Sequence, residues 1–182
     1  MTRRTVFEYA GVILAAVAAA LLVQAFLVKP YRIPSESMAA TLVPRDRVLV
    51  NRVVYRLHEP RRGDIVVVDS RAVGRVLIKR VVGLPGETLE LHDGRVYVDG
   101  RRLAEPYVAR VDGRQEPTEP FTGSGRLWSL ERPYTVPAGH YFLMGDNRVV
   151  SDDSRDWGPA PRGEIVGRAF LTYWPLTRAG GL

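Results

Sequence analysis

Twenty-three residues, Val6 to Val28, are apolar except for Glu8, Tyr9 and Gln24, and this run constrains the chain more than any other stretch. As a helix rising ~1.5 Å per residue it reaches ~35 Å, enough to cross a bilayer. Arg3 and Arg4 precede it and "AAVAAA" supplies small residues, which are also marks of a cleavable leader. The apolar core of a leader usually spans about 7 to 15 residues, so a retained single-span anchor is the expectation. Lys29, Arg32, Arg45 and Arg47 follow the run, but large domains translocate largely regardless of their charge. The expected organisation is a short cytoplasmic tail at 1–5, a transmembrane anchor at 6–28 and an extracytoplasmic domain at 29–182. Localisation is then the cell membrane, single-pass.

Beyond the anchor the chain reads as β. Runs such as "DRVLVNRVVYRL", "GDIVVVDS", "GRVLIKRVVGLPG" and "GRAFLTYWPL" are short, rich in Val, Ile, Leu and Tyr, and bounded by Gly, Asp, Asn or Pro. In "LELHDGRVYVDG", Asp93-Gly94 lies between two alternating runs, a two-residue hairpin signature. The fold expected is mainly β: an N-terminal transmembrane helix followed by an antiparallel β domain. Residues 104–135 carry Pro, Gly, Glu and Arg with little periodicity, and are expected to form a surface excursion, a flexible loop or an inserted hairpin.

The chain has no cysteine, so disulfides, thiolate catalysis and thiolate-bound metals are excluded. A net charge of +6 suits an anionic partner, yet the arginines are scattered rather than gathered into a basic block. Some affinity for lipid headgroups is expected, and no nucleic acid. His58, His92 and His140 show no metal-ligand spacing and read as surface or hydrogen-bonding side chains, so no metal is expected.

A serine can instead be activated by a lysine, provided the lysine is neutral when it acts; burial disfavours the ammonium and makes that possible. Two lysines occur against 24 arginines. Lys29 ends the apolar run and serves as a headgroup anchor. Lys79 lies inside an apolar β run, where the default for a lysine is an exposed edge, with Ile78 and Arg80 on the opposite face. In a chain that otherwise uses arginine, a lysine here is notable, because arginine cannot shed its proton. "GDNRVVSDDSRDWGP", residues 145 to 159, is dense in turn residues and alternates Asp146, Asp152, Asp153 and Asp156 with Arg148 and Arg155. The arginines and the lack of a terminal glutamate argue against calcium, leaving a salt-bridged turn that positions one serine.

"PSESMAATL", "GDIVVV", "IKRVVGLPGE" and "GDNRVVSDDSRDWG", in this order after a hydrophobic segment, resemble the motif boxes of bacterial type I signal peptidases. These are membrane-anchored Ser-Lys endopeptidases that remove signal peptides from exported preproteins; the single span resembles the Gram-positive-type form. The resemblance implies Ser37 as nucleophile and Lys79 as general base. Ser35 would join the Ser37 backbone N–H as oxyanion donor, and Ser151 would orient the lysine. Asp153 and Arg155 would be a supporting ion pair, and Asp146 a further structural acid. Ile33, Pro34, Met38, Leu42 and Ile78 would line shallow pockets for small residues at minus one and minus three from the scissile bond. The implied partners are preprotein signal peptides and membrane phospholipid, with no cofactor and no metal. Three departures stand out: Ala40 replaces a proline common in the family, Val149-Val150 replace Asp-Asn, and Leu77 precedes Ile78 where many relatives have a bulkier or polar residue. Ser35 and Ser37, two apart, would share one face if the segment is an extended strand, with Glu36 turned away.

Two other readings compete. A self-cleaving repressor-type Ser-Lys protease would need a DNA-binding helical domain, for which residues 1–30 are too apolar. A membrane-tethered β assembly module would leave the serines as linker, and would predict no cleavage of a preprotein.

Overall fold

The computed structural model describes residues 9–18, 27–121 and 126–182. Residues 9–18 form a helical segment, α1. Among the described residues no helix is long and apolar enough to cross a membrane. Residues 6–8 and 19–26 of the expected 6–28 span lie outside the described residues, while Leu27 sits in a turn and Val28, the expected last residue of the span, already begins the first strand.

The body is antiparallel β. Its main sheet takes the order β1 (Val28–Arg32), β2 (Arg47–Asn51), β13 (Ile165–Trp174), β3 (Ile65–Ser70), β4 (Arg75–Gly83), β11 (His140–Met144) and β12 (Ala160–Pro161), with β14 (Gly180–Gly181) added to β13. β3 explains the unbroken run Ile65-Val66-Val67-Val68, because it is buried on both faces. Ile65 and Val67 pack with Ile33, Met38, Leu42, Val48, Val50 and Ala169, while Val66 and Val68 pack with Tyr55, Val81, Tyr141 and Leu143. Burying each of these β3 side chains is worth about 1.5–3 kcal/mol, which makes this strand the anchor of both layers.

A smaller sheet orders β10 (Tyr134–Thr135), β5 (Thr88–His92), β6 (Arg95–Val98) and β7 (Arg101–Arg102). Its Leu89, Val96 and Val98 pack on Val82, Phe142 and Met144 at the ends of β4 and β11. The hairpin expected at Asp93-Gly94 joins β5 to β6, with φ of 50° and 69° at the two turn residues. Positive φ at both is what a turn matching the right-handed strand twist requires.

Residues 104–135 take the hairpin form in part, with β8 (Arg110–Val111) paired to β9 (Arg114–Gln115). The stretch is more than a surface excursion, since Glu105, Val108, Thr118 and Ser129 are buried. The short helix α2 (Ser154–Trp157) is capped by the Asp153 side chain, which accepts from the Arg155 N–H at 3.2 Å.

Sheet order fixes the geometry of the site. Successive antiparallel pairings make β1 and β4 point the same way. Among the described residues β1 pairs only with β2, and β11 pairs with β4 only at Arg80, Val81 and Gly83. Arg75 to Lys79 therefore keep one backbone edge free, as does β1.

Candidate active site

Between those two free edges lies a cleft of about 640 Å³. One wall is Tyr31 to Met38, the other Arg75 to Lys79, and Val150 and Asp152 close a side. Ser35 and Ser37 reach this cleft on bends and a turn, not on the extended strand expected from their spacing. Their hydroxyls still meet, Oγ to Oγ at 3.3 Å, and Glu36 between them is exposed at the cleft wall. The turn is held from behind, where the Asn147 N–H donates to the Ser37 carbonyl at 3.1 Å. Ala40 takes φ of 84°, a value closed to proline, consistent with the alanine at this position.

Lys79 is not an exposed edge residue: it is 2 % exposed. Its side chain reaches the cleft, as does that of Ile78, while the neighbouring Arg80 is also buried. Lys79 Nζ donates to Ser151 Oγ at 3.2 Å. Burial pushes the Lys79 pKa down, and Arg75 and Arg155 add to this, against the opposing pull of Asp153 and Asp152. The chain thus holds a desolvated amine beside two hydroxyls in one cavity. Among the described residues no hydrogen bond joins Ser37 Oγ to Lys79 Nζ, and contacts of this kind commonly tighten only when substrate is bound.

The turn bearing Ser151 is fixed by ions out of water. Arg155 forks onto Asp153, Nε to Oδ1 and Nη2 to Oδ2 both at 2.9 Å, and donates to the carbonyls of Arg148 and Glu119. Burial pushes the Asp153 carboxyl up, but Arg155, Lys79 and the Gly145 N–H outweigh it and hold the carboxyl below its ordinary value. Asp146 is 0 % exposed; Arg80 grips it with two donors at 2.8 and 2.6 Å, and the Thr41 hydroxyl adds a third at 2.6 Å.

Ile33, Pro34, Met38 and Ile78 line the cleft. Leu42 does not: it is fully buried behind Met38, packed with Val48 and Val50, because the turn at 38–42 folds it inward.

Three supporting residues, Glu105, Tyr107 and Thr118, were not singled out from the sequence. Arg148, with a fully buried side chain, pairs with Glu105 and donates to Thr118 Oγ1 at 2.7 Å. Arg80 stacks over the Tyr107 ring at 4.0 Å, and the Tyr107 hydroxyl donates to Glu105 at 3.4 Å. Residues 104–121 thus clamp the Ser151 turn to the rest of the body. The one usable signal was arginine inside apolar or turn segments, since a buried guanidinium must find a carboxylate.

A family model described as signal peptidase, peptidase S26, matches residues 6–174. The chain is 38 % identical over 171 residues to signal peptidase I of Leptolyngbya laminosa, covering 90 % of this chain and 77 % of that protein. It is 35 % identical over 175 residues to signal peptidase I of Bacillus licheniformis, covering 96 % and 91 %. The crystal structure of a signal peptidase I from Enterococcus faecalis matches with a TM-score of 0.50 and 38 % identity, over 60 % of this chain and 96 % of that one.

Proposed function

This chain belongs to the signal peptidase family, serine peptidases that hydrolyse peptide bonds to remove signal peptides, and from that premise we propose that it cleaves preproteins with a Ser37-Lys79 dyad at a membrane surface. The observation that carries this reading is Lys79, buried, held by Ser151 and sharing one cleft with Ser37.

In the proposed reaction the neutral Lys79 amine takes the Ser37 Oγ proton as that oxygen attacks the carbonyl carbon of the minus-one residue. The Ser37 N–H and the Ser35 hydroxyl receive the negative charge on the carbonyl oxygen. The resulting Lys79 ammonium returns its proton to the departing amine, and water then hydrolyses the Ser37 ester by the same route. Ser151 keeps the amine aimed. Substrate enters as an extended strand between the free edges of β1 and β4, with main-chain bonds giving affinity. Ile33, Met38 and Ile78, which line the cleft, are assigned to the pockets for small side chains at minus one and minus three.

The decisive experiment is cleavage of a preprotein with alanine at minus one and minus three by Lys79→Arg. A second variant tests the geometry. A Cβ on Gly145 would collide with Ser151 Oγ and the Ser37 carbonyl. Gly145→Ala is expected to lower kcat about 10²-fold, with a much smaller effect on melting temperature. A variant as active as the parent would show that the close approach of these two segments is not needed.

We assign the tail, anchor and catalytic domain to 1–5, 6–28 and 29–182, with the catalytic domain outside the membrane. Ser37 lies nine residues past Val28, so it stands at most ~30 Å above the bilayer. The anchor confines enzyme and substrate to one surface and raises their effective concentration. Val76, Val149 and Val150 are exposed at or beside the cleft, at 48 %, 68 % and 57 %, which supports an apolar rim that dips into lipid. A chain lacking residues 1–26 is expected to bind phospholipid vesicles and to gain activity with them. No binding and no stimulation would remove the rim from this reading.

A further inference from the structure

Arg75 and Lys79 lie four apart on β4, so strand alternation turns them to the same side. Two cross-links therefore run side by side from this strand to the turn after Met144. The inner one joins Lys79 Nζ to Ser151 Oγ at 3.2 Å and is buried. The outer one joins Arg75 Nη2 to Asp152 Oδ2 at 2.6 Å at the cleft mouth, where the side chains are 57 % and 42 % exposed. Adjacent residues of the turn are thus tied to one strand. The second carboxylate oxygen, Asp152 Oδ1, is buried and has no partner among the described residues, so one edge of the carboxylate faces the cleft wall while the other, paired to Arg75, stays open to solvent.

The charges facing the Lys79 amine are Asp153 and Arg155 from below, and Asp152 and Arg75 from the mouth, with Arg32 and Glu36 on the opposite wall. Asp153 and Arg155 are buried and committed to each other. Arg75 and Asp152 are the balanced pair that water and salt can reach. We propose that Arg75 and Asp152 are positioning residues that hold the Ser151 turn against β4 and balance the charge facing the Lys79 amine. This inference rests on Lys79 being the general base.

The signs are opposite for the two partners. Asp152 favours the Lys79 ammonium and Arg75 opposes it. Losing Asp152 makes Lys79 a weaker base that is neutral at lower pH; losing Arg75 does the reverse. The test is the pH profile of kcat/KM for the full chain in detergent, with a peptide carrying alanine at minus one and minus three. Asp152→Asn should move the acid limb to lower pH and Arg75→Gln to higher pH, each by roughly 0.3 to 1 unit in low salt. The double variant should return near the parent, and Arg75→Lys should leave the limb in place. In 1 M salt, where screening acts over about 3 Å, the limbs should converge. Asp152→Ser and Arg75→Met, with melting temperatures, guard against a folding defect of one substitution. Limbs that move together, or do not move, overturn the proposal. If Lys79→Arg is inactive while the limbs stay fixed, only the role of the pair falls. If Lys79→Arg cleaves normally, the base assignment itself falls.

Discussion

Ser37→Ala and Lys79→Arg are each expected to lower preprotein cleavage by at least about 10⁴-fold, because in the proposed dyad nucleophile and base act as a unit and losing either removes the same step. The arginine variant keeps length and positive charge but cannot become neutral near physiological pH. Lys79→Met should be equally inactive, yet it should fold well. The amine is desolvated in the native state, so its folded pKa lies below the ordinary 10.5. Between those two values the unfolded chain holds a proton that the folded chain does not, and stability rises with pH across that window. Above 10.5 that stability is fully present; as pH falls through the lowered value it is lost. Lys79→Met removes this dependence, and at neutral pH it should melt at or above the parent. The parent's kcat/KM should rise with pH through the same lowered value. Cleavage retained by Lys79→Arg, or a Lys79→Met variant that fails to fold, would count against the dyad.

The second large effect falls on stability. Breaking the buried pair, by Asp153→Asn or Arg155→Met, should cost about 3–5 kcal/mol, since each leaves an ion out of water without its partner. Against a total of roughly 5–15 kcal/mol for a domain, that is enough to unfold a large share of molecules at physiological temperature. The Asp153 carboxylate contributes its stability fully above its ordinary pKa of 3.8, and that contribution is lost as pH falls through the lower folded value. Chemical denaturation of both variants, with the parent followed into acid, measures this. A change of under about 1 kcal/mol in both would mean that the pair is replaceable by water.

These two experiments separate chemistry from support. On the proposed reading Lys79 contributes function at a cost to stability, whereas Asp153 and Arg155 contribute stability on which the position of Ser151 depends. Arg155 makes the connection, because its guanidinium donates to the Arg148 and Ser151 carbonyls at 2.8 and 3.4 Å while gripping Asp153.

Much of the fold was legible locally. Alternating runs and their turn residues gave β strands, the Asp93-Gly94 hairpin was readable from two residues, and the doubly buried "IVVV" marks a central strand. Ser37 and Lys79 could be named because their motifs are specific and because lysine is rare in this chain. Leu42, implied as a pocket residue by the resemblance alone, sits in the core because the turn after Met38 sends its side chain inward, which no local pattern announced.

Residue types, order and spacing by themselves determined the β class, the family and the identity of the candidate nucleophile and base. Only the tertiary structure decided that Lys79 is buried, that Arg80 and Tyr107 stack, and that Glu105 and Thr118 hold Arg148 from 43 and 30 residues away. Periodicity and turn chemistry act over a few residues, whereas desolvation and ion pairing depend on which distant segments the sheet order brings together. A guanidinium in the sequence announces that it needs a carboxylate, but the folded chain alone specifies which one.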